Sequence, residues 1–331
     1  MKRPAALLTI FAFAVVTPAV CPMFGTKLIG LHEVFSLSES DAMLLWQIRL
    51  PRTLLAFVAG SALAVSGLAF QAIFRNPLAT PFTLGISSGA SLGATAFIRF
   101  GLPLGLLGGL GVSLSAFFGA CFAVIIVYGL TRLRKGLSTA TMLLAGVAVS
   151  FCFSSIILFM QYTADFHNSF QIVRWLMGGL EVVGFQSVWN IAPFVFVGSG
   201  VILSLSHELN LMTTGEDLAT SRGVDVKRTI WIIFLFTSLM IGAVVSVCGP
   251  IGFVGMMAPH ICRLLIGWNH KHLVPASIVF GGAFLVLCDT IARTLLAPVE
   301  VPVGVMTAML GGPFFLWLLV GGSARRVSLG D

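Results

Sequence analysis

The sequence predicts an all-α integral membrane protein with about ten transmembrane helices. Only 9% of the 331 residues are charged and 57% are hydrophobic, whereas soluble domains carry about 25% charged residues. The apolar residues also occur in runs of about 20, the length that crosses a bilayer. A soluble body with so few charges could not cover its surface with polar groups. The composition therefore excludes a soluble enzyme, a nucleic-acid-binding protein and a disordered regulator.

The apolar runs define the candidate spans. The first follows Met1-Lys2-Arg3 and resembles a signal peptide, but it is long enough to span, and we interpret it as a transmembrane helix. Two spans, 84–100 and 251–266, are short and rich in Gly or Ser, so we expect them inside the bundle. No long polar insertion divides the chain, which predicts one membrane domain over 1–331. The spans are roughly 4–24, 53–73, 84–100, 104–130, 139–161, 186–206, 229–249, 251–266, 273–293 and 302–320.

The basic residues predict the orientation. Ten spans place both termini on one side, and cytoplasmic loops are enriched in Lys and Arg. With the N-terminus inside, 13 of the 19 Lys and Arg residues lie inside. We therefore predict N-in and C-in, and interpret the net charge of +7 as topology rather than affinity for nucleic acid. The six outer residues are Lys27, Arg49, Arg52, Arg99, Arg174 and Arg293.

Patterns typical of catalysis do not occur in the sequence. A Walker A motif needs a Gly-rich loop with Lys before Ser or Thr, and none of the four lysines fits. The six cysteines lie in or beside apolar runs without a CxxC, so we interpret them as packing residues. We expect no catalytic residue, no metal site and no cofactor. His270 and His272, in a basic inner loop, are interpreted as part of a solvated turn.

The scarcity of charge within the spans bears on the energy source. Secondary transporters usually hold ionisable residues near mid-membrane, and these spans have almost none there. Asp289 and Arg293, at i and i+4 near the outer end of a span, can form an ion pair. This pattern favours an energy source on another chain. A stand-alone secondary transporter of a small hydrophilic solute remains the alternative, and an integral-membrane enzyme is a third hypothesis.

Several motifs in a fixed order carry a resemblance to a known family. They are WQIRLPR at 46–52, RNPLATP at 75–81, LGISSGA at 84–90, GPIGFVG at 249–255, VPVGV at 301–305 and GGPFF at 311–315. From about Leu45 to Leu319 the chain resembles the membrane permease subunit of ABC importers for iron–siderophore, haem and cobalamin. Segments 46–54 and 175–180 look closest to the cobalamin importers, whereas the family as a whole favours iron–siderophores.

The resemblance implies an assembly. It implies the type II ABC importer permease fold with ten helices per subunit, in the inner (plasma) membrane. It further implies a homodimer with a central pathway and two cytoplasmic ABC ATPase subunits. A periplasmic or lipid-anchored substrate-binding protein would dock outside.

Three arginines are the expected docking residues. Arg49 and Arg52 lie outside against the inner bias, and Arg pairs in bidentate fashion with carboxylates. In the family, positions matching Arg49, Arg52 and Arg293 face the binding protein. Arg293 can instead pair with Asp289, and plain solvation at the interface is the alternative for the other two.

The inner loop at about 207–228 is the expected contact with the ATPase. Glu216, Asp217 and Arg222 suit a short amphipathic helix, and Gly223 suits a left-handed cap at its end. A solvated loop is the alternative. By resemblance this position holds the coupling helix, which implies coupling roles for Glu216, Ala219 and Gly223.

Asn76, Leu78 and Thr139 are the expected gate. Pro77 breaks the chain between the second and third spans, and Leu137-Ser138-Thr139 begins the fifth. Turn and cap chemistry alone explains Asn and Thr at such positions. By resemblance these residues narrow the inner end of the pathway, which the fifth span lines.

Overall fold

The computed structural model describes residues 3–25, 38–101, 110–133 and 139–327. Within these ranges the chain forms fourteen α-helices and no β-strand. The helices are α1 (Arg3–Val20), α2 (Glu39–Met43), α3 (Leu50–Ile73), α4 (Ile86–Phe100), α5 (Leu110–Leu133), α6 (Thr139–Tyr162), α7 (Phe166–Leu176), α8 (Gln186–Ser204), α9 (Ser206–Met212), α10 (Glu216–Ser221), α11 (Val226–Cys248), α12 (Val254–Ile266), α13 (His270–Thr294) and α14 (Val303–Val327). A π-helical stretch, Leu44–Arg49, joins α2 to α3.

Each predicted span coincides with one helix. The matching helices, in chain order, are α1, α3, α4, α5, α6, α8, α11, α12, α13 and α14. In the described part of the chain, seven helical segments are long and apolar enough to cross a membrane, and Val254–Ile266 and Val303–Leu318 are shorter apolar helices. Hydropathy did not predict α2 and α7, because short helices with polar residues give no apolar run.

Helix α3 lies at the centre of the bundle. Of the apolar window in the segment containing α3, 83% is buried, against 28% in α5 and in α6. Small residues allow its neighbours to approach closely. A Cβ on Gly60 would overlap the carbonyl oxygen of Gly281 in α13, and a Cβ on Gly67 would overlap that of Gly255 in α12. Helices α8 and α11 also pack against α3.

The pairing of α3 with α13 gives the bundle two distinct ends. The helices are antiparallel, since Arg52 contacts Asp289 and Gly60 contacts Gly281. We call the end with the start of α3 and the finish of α13 the arginine end. The opposite end, with the finish of α3, the start of α13, and α9 and α10, is the coupling end. From His270 to Arg293, α13 is about 35 Å long.

The two short predicted spans begin next to non-helical backbone. A 3-10 turn, Pro81–Leu84, precedes α4, and residues 249–253 precede α12. Helix α12 starts beside the middle of α3, because a Cβ on Gly255 would lie 2.8 Å from the carbonyl oxygen of Leu63. It packs against α1, α3, α13 and α14, as expected for a short span with irregular backbone beside it.

Candidate functional site: the two ends of the bundle

A buried ion pair joins α3 to α13 at the arginine end. Arg52 donates from Nη2 to Oδ1 of Asp289 at 2.9 Å and from Nε to Oδ2 at 3.0 Å. Its Nη1 donates to Oε2 of Glu300, in the loop before α14, at 2.7 Å. Asp289 is only 2% exposed. Two parallel bonds between a guanidinium and a carboxylate form the strongest common ion-pair geometry, so Arg52 holds three parts of the chain together.

The other two arginines attach the end of α1 to the same cluster. Arg293 donates from Nη2 to the carbonyl oxygen of Cys21 at 2.7 Å, and its Nε lies 4.0 Å from Oδ2 of Asp289. The ion pair expected at i,i+4 therefore exists, but Arg52 is the closer partner of Asp289. Arg49 donates to the carbonyl oxygens of Pro22 and Met23 at 3.2 and 3.3 Å. These carbonyls lie beyond the helix end, where cations are favourable.

The predicted docking residues thus come together, but in the interior. Arg49, Arg52 and Arg293 are 4%, 8% and 5% exposed, so in the single chain they do not form its outer surface. Among the described residues, the exposed charges at this end include Glu300 and the ion pair of Arg174 with Glu181. Sequence reasoning missed the Arg52–Asp289 pair, although a carboxylate within an apolar span signals that a buried partner exists.

An open cavity of about 540 Å³ lies against this cluster. It is lined by Ile48, Arg52, Arg174, Glu181, Val182, Val183 and Glu300. Its polar wall carries both signs of charge, so the arrangement suits contact with a partner surface more than retention of one ion.

Helix α10 at the coupling end is amphipathic. Ala219 is fully buried, Glu216 is half-buried, and Leu218 is 55% exposed. Gly223 has φ +85°, which confirms the predicted left-handed cap. Its N–H bonds the carbonyl of Thr220, and that of Val224 bonds the carbonyl of Ala219, both at 3.0 Å; this pattern is a Schellman motif. Ala219 therefore seats α10 on the protein, whereas Leu218 faces outward.

The interpretation of His270 and His272 as part of a solvated turn is wrong for His270. His272 is exposed, but His270 is 3% exposed at the start of α13. Its backbone N–H and its Nδ1 lie 2.9 and 2.8 Å from Oδ1 of Asn210 in α9. The basic residues near it in the sequence suggested that His270 is exposed to solvent, but α9 packs over its side chain.

The predicted gate residues show turn chemistry. Oδ1 of Asn76 accepts the N–H of Leu78 at 2.9 Å, and the Leu78 side chain is exposed. Thr139 is the first residue of α6, while Leu137 and Ser138 lie outside the described residues. Among the hydrogen bonds of the described ranges, none joins Thr139 to Asn76 or Leu78. The gating role therefore stays a prediction.

A groove of about 400 Å³, lined by both apolar and uncharged polar side chains, opens between α4 and α6, and we call it the neutral groove. Its polar side chains are Ser87, Ser88, Ser91, Ser150, Ser154 and Gln161. The hydroxyls of Ser88 and Ser150 bond carbonyls in their own chain segments, at 3.0 and 2.8 Å. All of these side chains are uncharged, so the groove offers only neutral hydrogen-bonding groups.

Comparison with known proteins identifies the family. The model of the FecCD transport family matches residues 8–321. The chain belongs to this family. It is 41% identical to the cobalamin import system permease BtuC of Halobacterium salinarum over 289 residues, covering 86% of this chain and 75% of that protein. It is 39% identical to the hemin transport system permease HmuU of Yersinia pestis, covering 89% of each.

Two further comparisons extend the family assignment. YvrB, an uncharacterized ABC transporter permease of Bacillus subtilis, is 40% identical over 87% of this chain and 83% of its own length. A solved structure reported as an inward-facing ABC transporter of metal-chelate type superposes with a TM-score of 0.87 at 29% identity, covering 96% of this chain and 99% of that one. This FecCD chain is thus a multi-pass inner-membrane ABC permease and not an enzyme, and its ATPase is a separate subunit.

Proposed function

We propose that this permease imports a metal chelate by ATP-driven alternating access. The cargo would be an iron–siderophore or a related chelate such as cobalamin or haem. The observation that carries the proposal is similarity along almost the whole chain to permeases named for cobalamin and hemin, and to a structure of metal-chelate type. The neutral groove on α4 and α6 agrees with a conduit that binds its cargo weakly and releases it.

The proposal includes ten crossings with both termini inside. Its support is the alternation of helix ends: α1 finishes at the arginine end, α3 starts there, and α13 finishes there. In this orientation the coupling end carries Arg75, Arg222, Lys227, Arg228, Arg263 and Lys271, and 13 of the 19 Lys and Arg residues of the sequence lie inside. An excess of Lys and Arg marks the cytoplasmic side.

A homodimer with two ATPase subunits is the proposed assembly. The neutral groove on α4 and α6 places hydroxyls and an amide on the side of the bundle, where contact with lipid is unfavourable for polar groups. Apolar residues beside it are exposed, among them Phe151 and Leu158 of α6. A second copy packed here would enclose the groove as a central pathway.

The residue roles form part of the proposal. The binding protein would contact the exposed Glu300 and the Arg174–Glu181 pair. The buried residues Arg49, Arg52 and Arg293 would support this docking indirectly, by holding in place the segments that carry those exposed groups. Helix α10 would contact the ATPase through its exposed face, including Leu218, with Glu216, Ala219 and Gly223 setting its position. Asn76, Leu78 and Thr139 would narrow the inner end of the pathway.

Reconstitution tests the cargo and the energy source together. The permease, its ATPase and its binding protein are placed in liposomes, and uptake of a ferric trihydroxamate, cyanocobalamin and hemin is measured with internal or external ATP. Uptake of one probe that requires the ATPase and binding protein supports the proposal. Uptake driven by a proton or sodium gradient without the ATPase favours the secondary transporter instead. A catalytically inactive ATPase is the control.

Charge reversal tests docking. The double substitution Arg49→Glu and Arg52→Glu is expected to reduce the affinity of the binding protein by more than tenfold, because each introduces a carboxylate beside the cluster. Arg174→Glu is the exposed comparison. Elution as a single species in detergent serves as the folding control. Unchanged affinity and transport in the folded double variant would remove these residues from the docking proposal.

A further inference from the structure

Asn210 joins α9 to the first turn of α13. Its Oδ1 lies 2.9 Å from the backbone nitrogen of His270 and 2.8 Å from Nδ1 of the same residue, and its Nδ2 donates to Oδ1 of Asn269 at 3.2 Å. Because Oδ1 accepts from a backbone N–H, the imidazole must carry its proton on Nδ1 to donate to the same oxygen. One side chain of α9 therefore makes two bonds to the first residue of α13 and a third to its N-cap residue.

This contact has the chemistry of a helix cap supplied by another helix. The first N–H groups of a helix have no partner within it, and capping them stabilises the helix. Asn269 caps the N–H of Lys271 at 3.0 Å, whereas the N–H of His270 receives its cap from α9. Separation of α9 from α13 would leave that N–H and the buried Nδ1 unpaired, which is unfavourable. The contact therefore opposes separation of the two helices.

The far end of α13 is fixed to the arginine cluster. Asp289 receives Arg52 of α3, and Arg293 bonds the carbonyl of Cys21 after α1. A continuous helix of 25 residues connects these bonds to His270. In the part of the chain that the structure describes, α13 thus has side-chain hydrogen bonds to other segments at both ends of the bundle.

The other helices at the coupling end are joined to α9 and α10 by fewer side-chain bonds. Helix α3 packs against α9, but among the described residues no side-chain hydrogen bond joins these two helices. Helix α11 continues from α10, and at its far end the carbonyl of Cys248 accepts the N–H of Gly179 at 2.8 Å. Among the described residues, α13 is therefore the helix that side-chain hydrogen bonds join to α9 at one end and to the arginine cluster at the other.

We propose that Asn210 and His270 are positioning residues that transmit movement of α10 through α9 to α13, and so to the arginine end. This inference rests on the proposed function, in which α10 receives the motion of the ATPase. It adds α13 as the element that carries the motion and the Asn210–His270 contact as its attachment.

The test uses the permease bound to its ATPase in nanodiscs. Hydrogen exchange of residues 295–302, next to the arginine cluster, is compared with and without ATP and vanadate, and ATP hydrolysis is measured on the same samples. Asn210→Leu removes the acceptor at similar volume, and His270→Phe removes the Nδ1 donor while the backbone N–H remains. Asn210→Asp keeps the acceptor, and His272→Phe is the matched exposed control.

The expected result separates transmission from stability. Asn210→Leu and His270→Phe should reduce the ATP-dependent difference in exchange about tenfold, since they break buried hydrogen bonds, while ATP hydrolysis continues. Asn210→Asp and His272→Phe should keep the difference. An unchanged difference in both Asn210→Leu and His270→Phe overturns the inference but not the proposed function.

Two other outcomes are informative. Release of the ATPase by both Asn210→Leu and His270→Phe, with the wild type still bound, overturns transmission in favour of a purely structural role. A wild-type permease that never binds an ATPase overturns the proposed function, and the inference with it.

Discussion

The arginine end and the coupling end are held together by different chemistry. At the arginine end, the buried charges of Arg52 on α3 and Arg293 on α13 share one carboxylate, that of Asp289. At the coupling end, caps and neutral hydrogen bonds hold short helices whose outer faces are exposed. Loss of one partner leaves the other buried charges uncompensated, which is strongly destabilising. Each helix cap, in contrast, contributes a small amount to the free energy of unfolding, and one cap can be lost without the others. We therefore expect single substitutions to cost more stability at the arginine end than in the helix caps of the coupling end.

The largest expected loss of stability comes from removing the carboxylate of Asp289 at the arginine end. Asp289→Ala leaves Arg52 and Arg293 without their shared buried carboxylate, and we expect a loss of about 3–5 kcal/mol of stability. Thermal unfolding in detergent, followed by size-exclusion chromatography, measures it. Glu300→Gln is the control in the same cluster, and because Glu300 is 40% exposed on its side chain, the change should be under about 1 kcal/mol. Equal effects of the two substitutions would contradict a single central carboxylate.

The second effect tests the packing that connects the two ends. Gly60→Ala places a methyl group against the backbone of Gly281, and we expect a loss of about 1–3 kcal/mol. Gly200→Ala in α8 meets no atom within 4 Å and should be neutral or stabilising by up to about 1 kcal/mol. Melting temperatures of both variants in one detergent provide the comparison. A Gly60→Ala variant as stable as Gly200→Ala would show that α3 and α13 can separate without loss.

The third effect tests the coupling end. Gly223→Ala forces a Cβ into the left-handed region at φ +85°, at a cost of about 1–2 kcal/mol. Faster hydrogen exchange in α10, with unchanged global melting, is the expected signature. Gly223→Asn should lie between Ala and wild type, because Asn adopts this conformation more readily. A fall in global stability as large as that of Asp289→Ala would contradict the contrast between the ends.

The smallest effect concerns the end of α3. Arg75 has φ +48° without being glycine, and its N–H and that of Asn76 close a cap with the carbonyls of Ala72 and Gln71. We expect Arg75→Gly to be more stable than Arg75→Ala by about 1 kcal/mol. Both variants lack the arginine side chain, so the difference in stability between them reports the backbone conformation alone. Equal melting temperatures would mean that this backbone conformation is not strained.

Hydropathy predicted the positions of the apolar helices well. Each of the ten apolar runs became a helix, because a run of about 20 apolar residues has few other stable conformations in lipid. The left-handed cap at Gly223 was predicted because glycine after a polar amphipathic segment is a local signal. Both the apolar helices and this cap depend on residues that are close in the sequence, so the sequence alone could predict them.

Long-range pairing could not be predicted in the same way. Arg52 and Asp289 are 237 positions apart, and only the folded bundle brings them together. The burial of His270 depends on α9, which lies 60 positions earlier. The topology and the family resemblance suggested that Arg49 and Arg52 face a binding protein. In the folded chain, Arg49 instead bonds the carbonyls after α1, and Arg52 bonds the carboxylate of Asp289.

The separation of Arg52 from Asp289 has a consequence for how the chain is made. Ribosomes add about 5–20 residues per second, so roughly 10–50 s of synthesis separate these two residues. During that interval Arg52 has entered the membrane region without the carboxylate that later neutralises it. Its place at the very start of α3 lets the guanidinium remain among lipid headgroups and water until α13 arrives. We therefore expect Arg52 to become buried only after α13 has been made.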